Sequence, residues 1–593
     1  MMRSAKASGK PRNMKKSLKE LVRYVKPQGA LIITAMIMAV GSATLGLIAP
    51  TFASNVTDEI EAGIAGSIDM NALMDGIIIM ICLYAGQIAL MWLQSFIMTT
   101  VTQSLTKRMR RDISCKVNRL PLGYFDRTPL GDIMSRVTND VDTVGQSLNQ
   151  AVITLVLATV MLIGSTVMMF VTSPILAASA IASTVVGFLL MALIMTKSQK
   201  YFAAQQRSLG KVNGHIEEIF SGQLVVKAFG AEDNSKKNFR KLNGKLFESA
   251  WKSQFYSSIM GPLMSFIGNL GYVTVMVVGG VLVLTKGMSI GVITAFTLYI
   301  RQFSQPLTQL AQVMTQLQPA AAASERVFEF LHADELAPEK DGAAEKAENV
   351  NGEVVFDHVK FGYTPERTII NDFSATVKAG QKVAIVGPTG AGKTTLVNLL
   401  MRFYELDSGS ISIDGVPLAD MTRSAVHDVF GMVLQDTWLF KGTVRENIAY
   451  SKDVSDETIL EACKKAGLGH YVATLPDGLD TVLSDAASVS AGQKQLMTIA
   501  RAMVENAPVL ILDEATSSVD TRTELLIQKA MDELTSGRTS FVIAHRLSTI
   551  KNADLILVMN KGDIVESGTH EQLLEKKGFY SELYNSQFAS SGA

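Results

Sequence analysis

Three cysteines in 593 residues, Cys82, Cys115 and Cys463, show no metal-ligand spacing and no disulfide framework. That excludes a stapled small fold and a zinc-type centre, and isolated small residues in packed helices account for them. Net charge is also missing. The 55 basic residues balance 55 acidic ones and the pI is near 7.1, so no basic excess is available for a nucleic-acid partner. Charge of either sign is scarce at 19%, against 48% hydrophobic residues and a positive mean hydropathy. This balance excludes a disordered chain and indicates a membrane protein. The length excludes a single core, so two or more domains are expected.

What is present divides unevenly. Six stretches before about residue 320 are long and apolar enough to cross ~30 Å of hydrocarbon: 29–50, 72–100, 152–172, 174–196, 257–285 and 288–317. Ahead of the first lie Arg3, Lys6, Lys10, Arg12, Lys15, Lys16, Lys19, Arg23 and Lys26. No short apolar core with a small-residue cleavage site follows, so this reads as a retained cytoplasmic arm. The loop expected between spans one and two holds Asp58, Glu59, Glu61 and Asp69 without Lys or Arg. By the positive-inside rule, the N-terminus is cytoplasmic and the acidic loop is outside.

The two cytoplasmic connections, 101–150 and 197–256, are far longer than the outer breaks at 172–174 and 286–288. As helical hairpins of about 25 residues per arm they would project roughly 35 Å at 1.5 Å per residue, far enough to reach a cytoplasmic domain. Charge clusters at 125–142 and 229–234 fall near their tips. Within the sixth span Arg301 lies near mid-depth, followed by Gln302, Ser304, Gln305, Gln309 and Gln312, with Pro306 available to kink the helix. An ionisable group at that depth faces a bundle interior or a watery cavity. A cavity lining and a structural hydrogen-bond network are both open readings. Methionines such as Met36, Met91, Met161, Met191 and Met276 suit either a promiscuous apolar pocket or ordinary packing.

The second half carries chemistry. Residues 387–395 read GPTGAGKTT between an apolar strand at 383–386 and a helical run at 395–401. Gly387, Gly390 and Gly392 let backbone N–H groups approach phosphate oxygens. Lys393 reaches the β and γ phosphates, and the Thr394 hydroxyl can ligate Mg²⁺. The helix start adds its positive end. Strand 509–512 ends in Asp513 and Glu514, placed to hold Mg²⁺ through water and to polarise an attacking water. Ser490 and Gly492 open a helix and form an anion-compatible N-terminus. His545 ends another strand, and Tyr363 precedes the P-loop. Alone, each of these last two is better explained by a structural role. The polar segment 332–351 reads as a linker.

Taken in order, Tyr363, the P-loop, Gln435, the run 489–493 (VSAGQ), the run 512–516 (LDEAT), Asp520 and His545 resemble the nucleotide-binding domain of ATP-binding cassette transporters. With the six spans and long hairpins, the chain resembles the fused exporter branch of that family, of the multidrug and lipid-flippase type, over about 17–588. The resemblance implies an α-helical six-span transmembrane domain with long cytoplasmic helical hairpins, plus an α/β P-loop ATPase domain. The divisions implied are a basic arm at 1–28, a transmembrane domain at 29–331, a linker at 332–351 and the ATPase domain at 352–593. It implies ATP and Mg²⁺ as cofactors. Tyr363, Gly387, Pro388, Thr389, Gly390, Ala391, Gly392, Lys393, Thr394, Thr395 and Gln435 would bind ATP, and Thr394, Gln435 and Asp513 would serve the metal. Glu514 would be the general base and His545 the γ-phosphate contact. Ser490, Ala491, Gly492, Gln493 and Asp520 would address ATP held by a second subunit.

The implied function is ATP-driven export of hydrophobic or amphipathic substrates by alternating access, from a bacterial inner membrane, with the ATPase half cytoplasmic and Arg301 a candidate cavity residue. A membrane ATPase that gates a partner without transport is the alternative. One run departs from the family pattern: 483–489 (LSDAASV) lacks the usual Gly-Glu-containing stretch, and Val489 stands where Leu is usual. Since each signature helix would complete the partner's site, this asymmetry favours a heterodimer with a second half-transporter over a homodimer.

Overall fold

The computed structural model describes residues 13–66, 68–344, 350–435, 437–483, 489–513, 520–543 and 547–587. They form two compact units. The first comprises 1–118 and 130–333; the second comprises 119–129 and 334–593.

The first unit is helical. It contains α1 (Met14–Val25), α2 (Gly29–Ala65), α3 (Met70–Val117), and, beyond the stretch that joins the second unit, α5 (Leu130–Ser135), α6 (Val141–Thr172), α7 (Pro174–Ser221), α8 (Gln223–Ala228), α9 (Glu232–Lys286) and α10 (Ile290–Leu331). The intervening α4 (Leu122–Arg127) belongs to the second unit. Among the described residues, five helical stretches are long and apolar enough to cross a membrane: Met14–Ile64, Met70–Val117, Leu130–Thr172, Pro174–Ser221 and Glu232–Lys286. The sixth expected span lies on α10, which has the length at 42 residues, but its arginine and glutamines dilute its apolar character.

Glycine lets these helices approach. A Cβ on Gly271 of α9 would lie 2.5 Å from Ile300 Cδ1 of α10, and one on Gly187 of α7 would lie 2.4 Å from Ile267 Cγ2 of α9. Small residues at such crossings admit the backbone-close packing that holds helices together in lipid. Around them Met169, Leu176, Val275, Phe296 and Tyr299 form a buried core.

The acidic outer loop is corrected by the structure. Asp58, Glu59 and Glu61 lie on α2, which runs helical to Ala65, and only Asp69 sits outside, capping α3 through Asn71 and Ala72 N–H. Asp58 accepts from Gly291 N–H at 2.8 Å and from the Ser289 hydroxyl, while Glu61 accepts from Ile290 N–H at 3.3 Å. The acids extend α2 because they satisfy the exposed amides and positive end of α10.

The second unit contains two larger sheets. β1 (Val354–Phe361), β2 (Ile370–Val377), β4 (Ser408–Ile413) and β5 (Val416–Pro417) form an antiparallel sheet in the order β2-β1-β4-β5. β3 (Lys382–Val386), β6 (Phe430–Val433), β9 (Val509–Asp513), β10 (Thr539–Ile543), β11 (Leu555–Asn560) and β12 (Asp563–Gly568) form the other, ordered β12-β11-β3-β10-β9-β6 and parallel except at β12. A short pair, β7 (Gly442–Thr443) and β8 (Val482–Leu483), stands apart. The central strands carry unbroken apolar runs at 383–386, 509–512 and 541–543 because both faces are covered there. Val383, Ile385, Ile511 and Phe541 point into one core with Phe356 and Phe373, while Leu510, Leu512 and Val542 point into another with Met497 and Ile499.

The helices here are α11 (Lys393–Leu400), α12 (Arg423–Val429), α13 (Val444–Ala449), α14 (Asp456–Lys465), α15 (Gly469–Thr474), α16 (Ala491–Glu505), α17 (Thr521–Thr535), α18 (Leu547–Lys551), α19 (His570–Glu575) and α20 (Phe579–Gln587). The polar segment read as a linker is fastened where it is described. Leu336 N–H donates to Arg119 O, Arg423 binds Ala337 O and Glu339, and Lys340 pairs with Asp420.

Candidate functional site

In the register of the parallel strands, Ile543 pairs with Ile385 and with Asp513, and Val433 pairs with Leu512. The carboxyl ends of β3, β10, β9 and β6 therefore reach one edge of the sheet, where ligands of open parallel sheets bind. The P-loop leaves β3 there, Asp513 ends β9, and Gln435 stands exposed two residues beyond β6. Glu514 and His545 lie outside the described residues. So do 515–519 and the middle of the altered run, 484–488.

The P-loop glycines answer separate demands. A Cβ on Gly387 would come within 2.2 Å of Met559 O, so only glycine lets the loop pass over β11. Gly390 and Gly392 have φ of 83° and 104°, which side-chain-bearing residues adopt at a cost. Behind the loop, Gly562 N–H donates to Ala391 O at 3.1 Å and Ala391 N–H to Pro388 O at 3.1 Å. Thr389, Gly390 and Thr394 are exposed, whereas Ala391 and Thr395 are buried. Lys393 bends back so that Nζ donates to Gly387 O at 2.7 Å and Pro388 O at 3.2 Å. Burial pulls its pKa down, and the nearby Asp513 carboxylate partly opposes this.

Tyr363 joins the same neighbourhood from the other side of α11. Its hydroxyl donates to Thr395 Oγ1 at 3.2 Å, accepts from Asn398 at 3.4 Å, and its ring meets Tyr404 edge-on at 5.0 Å. Tyr404 and Asn398 escaped sequence reasoning, although the aromatic pair Phe403 and Tyr404 just beyond α11 was a usable signal. The first hairpin-tip cluster also has more than a solvated-turn role. Arg127 of α4 donates to Tyr363 O at 2.6 Å, and Tyr404 donates to the Asp126 carboxylate. Burial, then Asp126, raises the Tyr404 pKa well above its ordinary value.

At the start of α16, Ser490 Oγ accepts from Gln493 N–H at 3.2 Å and the Gln493 side chain accepts from Ser490 N–H at 3.1 Å, a reciprocal cap. Ser490 and Ala491 are exposed and Gly492 is buried. The ends of the altered run, Leu483 and Val489, are both buried in the helical core. Asp520 caps α17 by accepting from Thr523 N–H at 3.1 Å, a bond that holds its carboxyl below the usual range.

In the first unit, Arg301 lines a cavity of about 800 Å³ between α9 and α10. The lining is not the methionine-lined apolar pocket that stood as one of the two readings of the methionines in the spans. Neutral polar groups dominate it, and no methionine is among the described lining residues. The reason is that α9 contributes Ser265 and Asn269 opposite the glutamines of α10.

Comparison with known proteins agrees with both units. Residues 30–307 match the ABC transporter transmembrane region family and residues 370–517 the ABC transporter family. The chain is 41% identical to a fatty acid ABC transporter ATP-binding/permease protein of Mycobacterium bovis, covering 98% of each. It is 34% identical to an ATP-dependent lipid A-core flippase of Syntrophus aciditrophicus, over 84% of this chain and 83% of that one. The solved structure of a bacterial Atm1-family ABC exporter with ATP bound superposes with a TM-score of 0.72 at 27% identity, over 95% of this chain and 98% of the other. The chain thus belongs to the ATP-binding cassette transporter family, as an ATP-hydrolysing, membrane-spanning half-transporter of the exporter type.

Proposed function

We propose that this half-transporter exports hydrophobic or amphipathic molecules across a bacterial cytoplasmic membrane by alternating access, as one half of a dimer. The observation that carries the ATP-driven reading is the convergence of the P-loop, Asp513 and Gln435 on one sheet edge, in a chain that also holds five membrane-length apolar helices. The basic residues ahead of α2 and the acids at its far end support a cytoplasmic ATPase unit. Two relatives named for fatty acids and for lipid A-core support an amphipathic cargo.

In this reading the P-loop amides and Lys393 hold the β and γ phosphates, and Tyr363 bears on adenine. Thr394, Gln435 and Asp513 are hard oxygen donors, which fits Mg²⁺. Among the described residues no cluster of three or more His, Cys, Asp or Glu forms a metal cage of its own. This suits an ion completed by phosphate, and when bound it neutralises charge on the transferring group. Glu514 accepts the proton of the attacking water, and His545 orients the γ phosphate.

The partner is a different half-transporter. Ser490, Ala491, Gly492, Gln493 and Asp520 serve nucleotide on the partner's P-loop, so the altered run at 483–489 weakens that site and leaves this chain's own site dependent on the partner's signature helix. A homodimer would carry the handicap twice. The test is to express the chain alone and beside a neighbouring half-transporter gene, then measure native mass, ATPase rate and uptake of labelled amphiphiles by inverted vesicles. The expected result is a fully active heterodimer that moves cargo, and a fully active dimer of this chain alone would overturn the pairing. ATP hydrolysis with no cargo moved from a broad panel would overturn export.

A further inference from the structure

Among the described residues that line the cavity between α9 and α10, Arg301 is the one charged side chain. Arg301 sits eleven residues into α10 from Ile290, about 16 Å along the axis at 1.5 Å per residue, near the middle of a bilayer core. Its guanidinium has no hydrogen bond or ion pair with any described residue, although Gln302 beside it is fixed to Gly46 O at 3.0 Å. Lipid exposure of such a group is costly, and a chain keeps it where water or a counter-charge compensates it. Around it stand neutral donors and acceptors: Asn269 of α9, and Ser304, Gln305 and Gln309 of α10. No carboxylate is among the described lining residues. Ser304 is already turned to Ile300 O at 2.8 Å, so the amides are the more available neighbours.

We propose that Arg301 is the recognition residue for the acidic head of a singly charged amphiphile. This rests on the export reading above and specifies its cargo. One guanidinium fork matches one carboxylate or one phosphodiester, which it can engage with two parallel N–H···O bonds. A headgroup with several phosphates would leave charges facing only amides. Tyr272, Leu298 and Ile300 also line the space and suit the apolar part adjoining the head. At about 800 Å³ the space accommodates a molecule of lipid-monomer size and not merely an inorganic anion.

The experiment uses the assembled transporter in proteoliposomes of neutral lipid and reads stimulation of ATPase activity together with vesicle transport. The probes are hexadecanoate, hexadecanol, hexadecanamide, a single-chain phosphatidylglycerol and a multiply phosphorylated glycolipid, each added to wild type, Arg301→Gln and Arg301→Lys. In wild type the monoanions should half-saturate at a concentration at least tenfold below the alcohol and amide of equal chain length. Arg301→Gln should erase that gap, and Arg301→Lys should restore part of it. Preference for the carboxylate, for the phosphodiester or for both identifies the source of the head and supports the assignment. Equal response to acid, alcohol and amide in wild type, or tightest response to the multiply charged lipid, overturns it even if Arg301→Gln fails to fold. Movement of neutral amphiphiles would then leave export standing. Movement of no probe, with hydrolysis intact, would sink both.

Discussion

Gly392→Ala should be far more damaging than Gly390→Ala, although both glycines lie in the P-loop with positive φ. At Gly392 φ is 104°, and an added Cβ would approach Ile370 Cδ1 to 2.8 Å. At Gly390 φ is 83° and nothing lies within 4 Å. The backbone cost of holding alanine in the left-handed region is about 1–2 kcal/mol at either position. Only position 392 adds overpacking, about 1–3 kcal/mol, because Ile370 is wholly buried and cannot swing away. If the loop relieves the strain by leaving its phosphate-binding shape, ATP affinity falls by roughly 10-fold for Gly390→Ala. For Gly392→Ala the loss is on the order of 100-fold or more, at about 1.4 kcal/mol per decade.

The steric share can be isolated. Ile370→Val deletes the offending Cδ1, after which the nearest atom to the new Cβ is Met559 Cε at 3.4 Å. Ile370→Val alone should cost only about 0.5–1.5 kcal/mol of stability. In the Gly392→Ala background it should recover about fivefold or more in affinity. The assay is equilibrium binding of a fluorescent ATP analogue to purified transporter, with hydrolysis blocked, for all four members of the cycle. Equal losses at positions 390 and 392, or no recovery with Ile370→Val, would refute the steric argument and leave backbone strain as the whole effect.

Glu514→Gln should lower ATP turnover by about 10²–10⁴-fold, the range for loss of a general base, while nucleotide binding persists; near-normal hydrolysis by the purified complex would remove Glu514 from that role. Gly271→Leu should force α9 off α10 at Ile300 and cost at least about 1–3 kcal/mol, read as a lower midpoint in thermal unfolding of the detergent-solubilised protein. An unchanged midpoint would mean that the crossing opens at little cost. Gly280, with open space around its Cβ position, supplies the matched control.

Legibility in the sequence followed the range of the interaction. The P-loop was readable because its glycines and lysine act within nine consecutive residues. Strand segments such as 509–512 were readable because burial on both faces leaves an unbroken apolar run. Pairings between distant segments were not. Asp58 and Glu61 read as loop acids because nothing near them shows that the amides of residues 290 and 291 need a cap. Asp126 and Arg127 look like any solvated turn until Tyr404 and Tyr363, more than 200 positions later, come against them. The polar character of the cavity was hidden for the same reason. Arg301 and the glutamines announce one wall, but Ser265 and Asn269 sit inside a span read as apolar, and only the α9–α10 crossing at Gly271 turns them to the same space.

These long-range contacts share one element. Helix α10 is held at its N-terminal end by Asp58 and Glu61, lines the cavity with Arg301, and toward its C-terminal end bears Arg326. That guanidinium grips the buried Asp140 through two bonds of 2.5 and 2.8 Å, at the end of the π-helical segment Arg136–Asp140 that joins α5 to α6. From Ile290 to Arg326 is about 54 Å of helix at 1.5 Å per residue. Pro306, between Arg301 and Arg326, removes one ladder hydrogen bond and gives this rod a compliant point just beside the cavity. A displacement applied at the Asp140 clasp can then turn the glutamine face of the cavity while the capped N-terminal end stays in place. The cost falls on the proline turn and not on the ion pair, because a charge-assisted, bidentate grip on the buried Asp140 is harder to release than a proline-interrupted turn is to bend. On this reasoning bending of α10 concentrates at Pro306 and Pro319, which both lie between the capped N-terminal end and the Asp140 clasp.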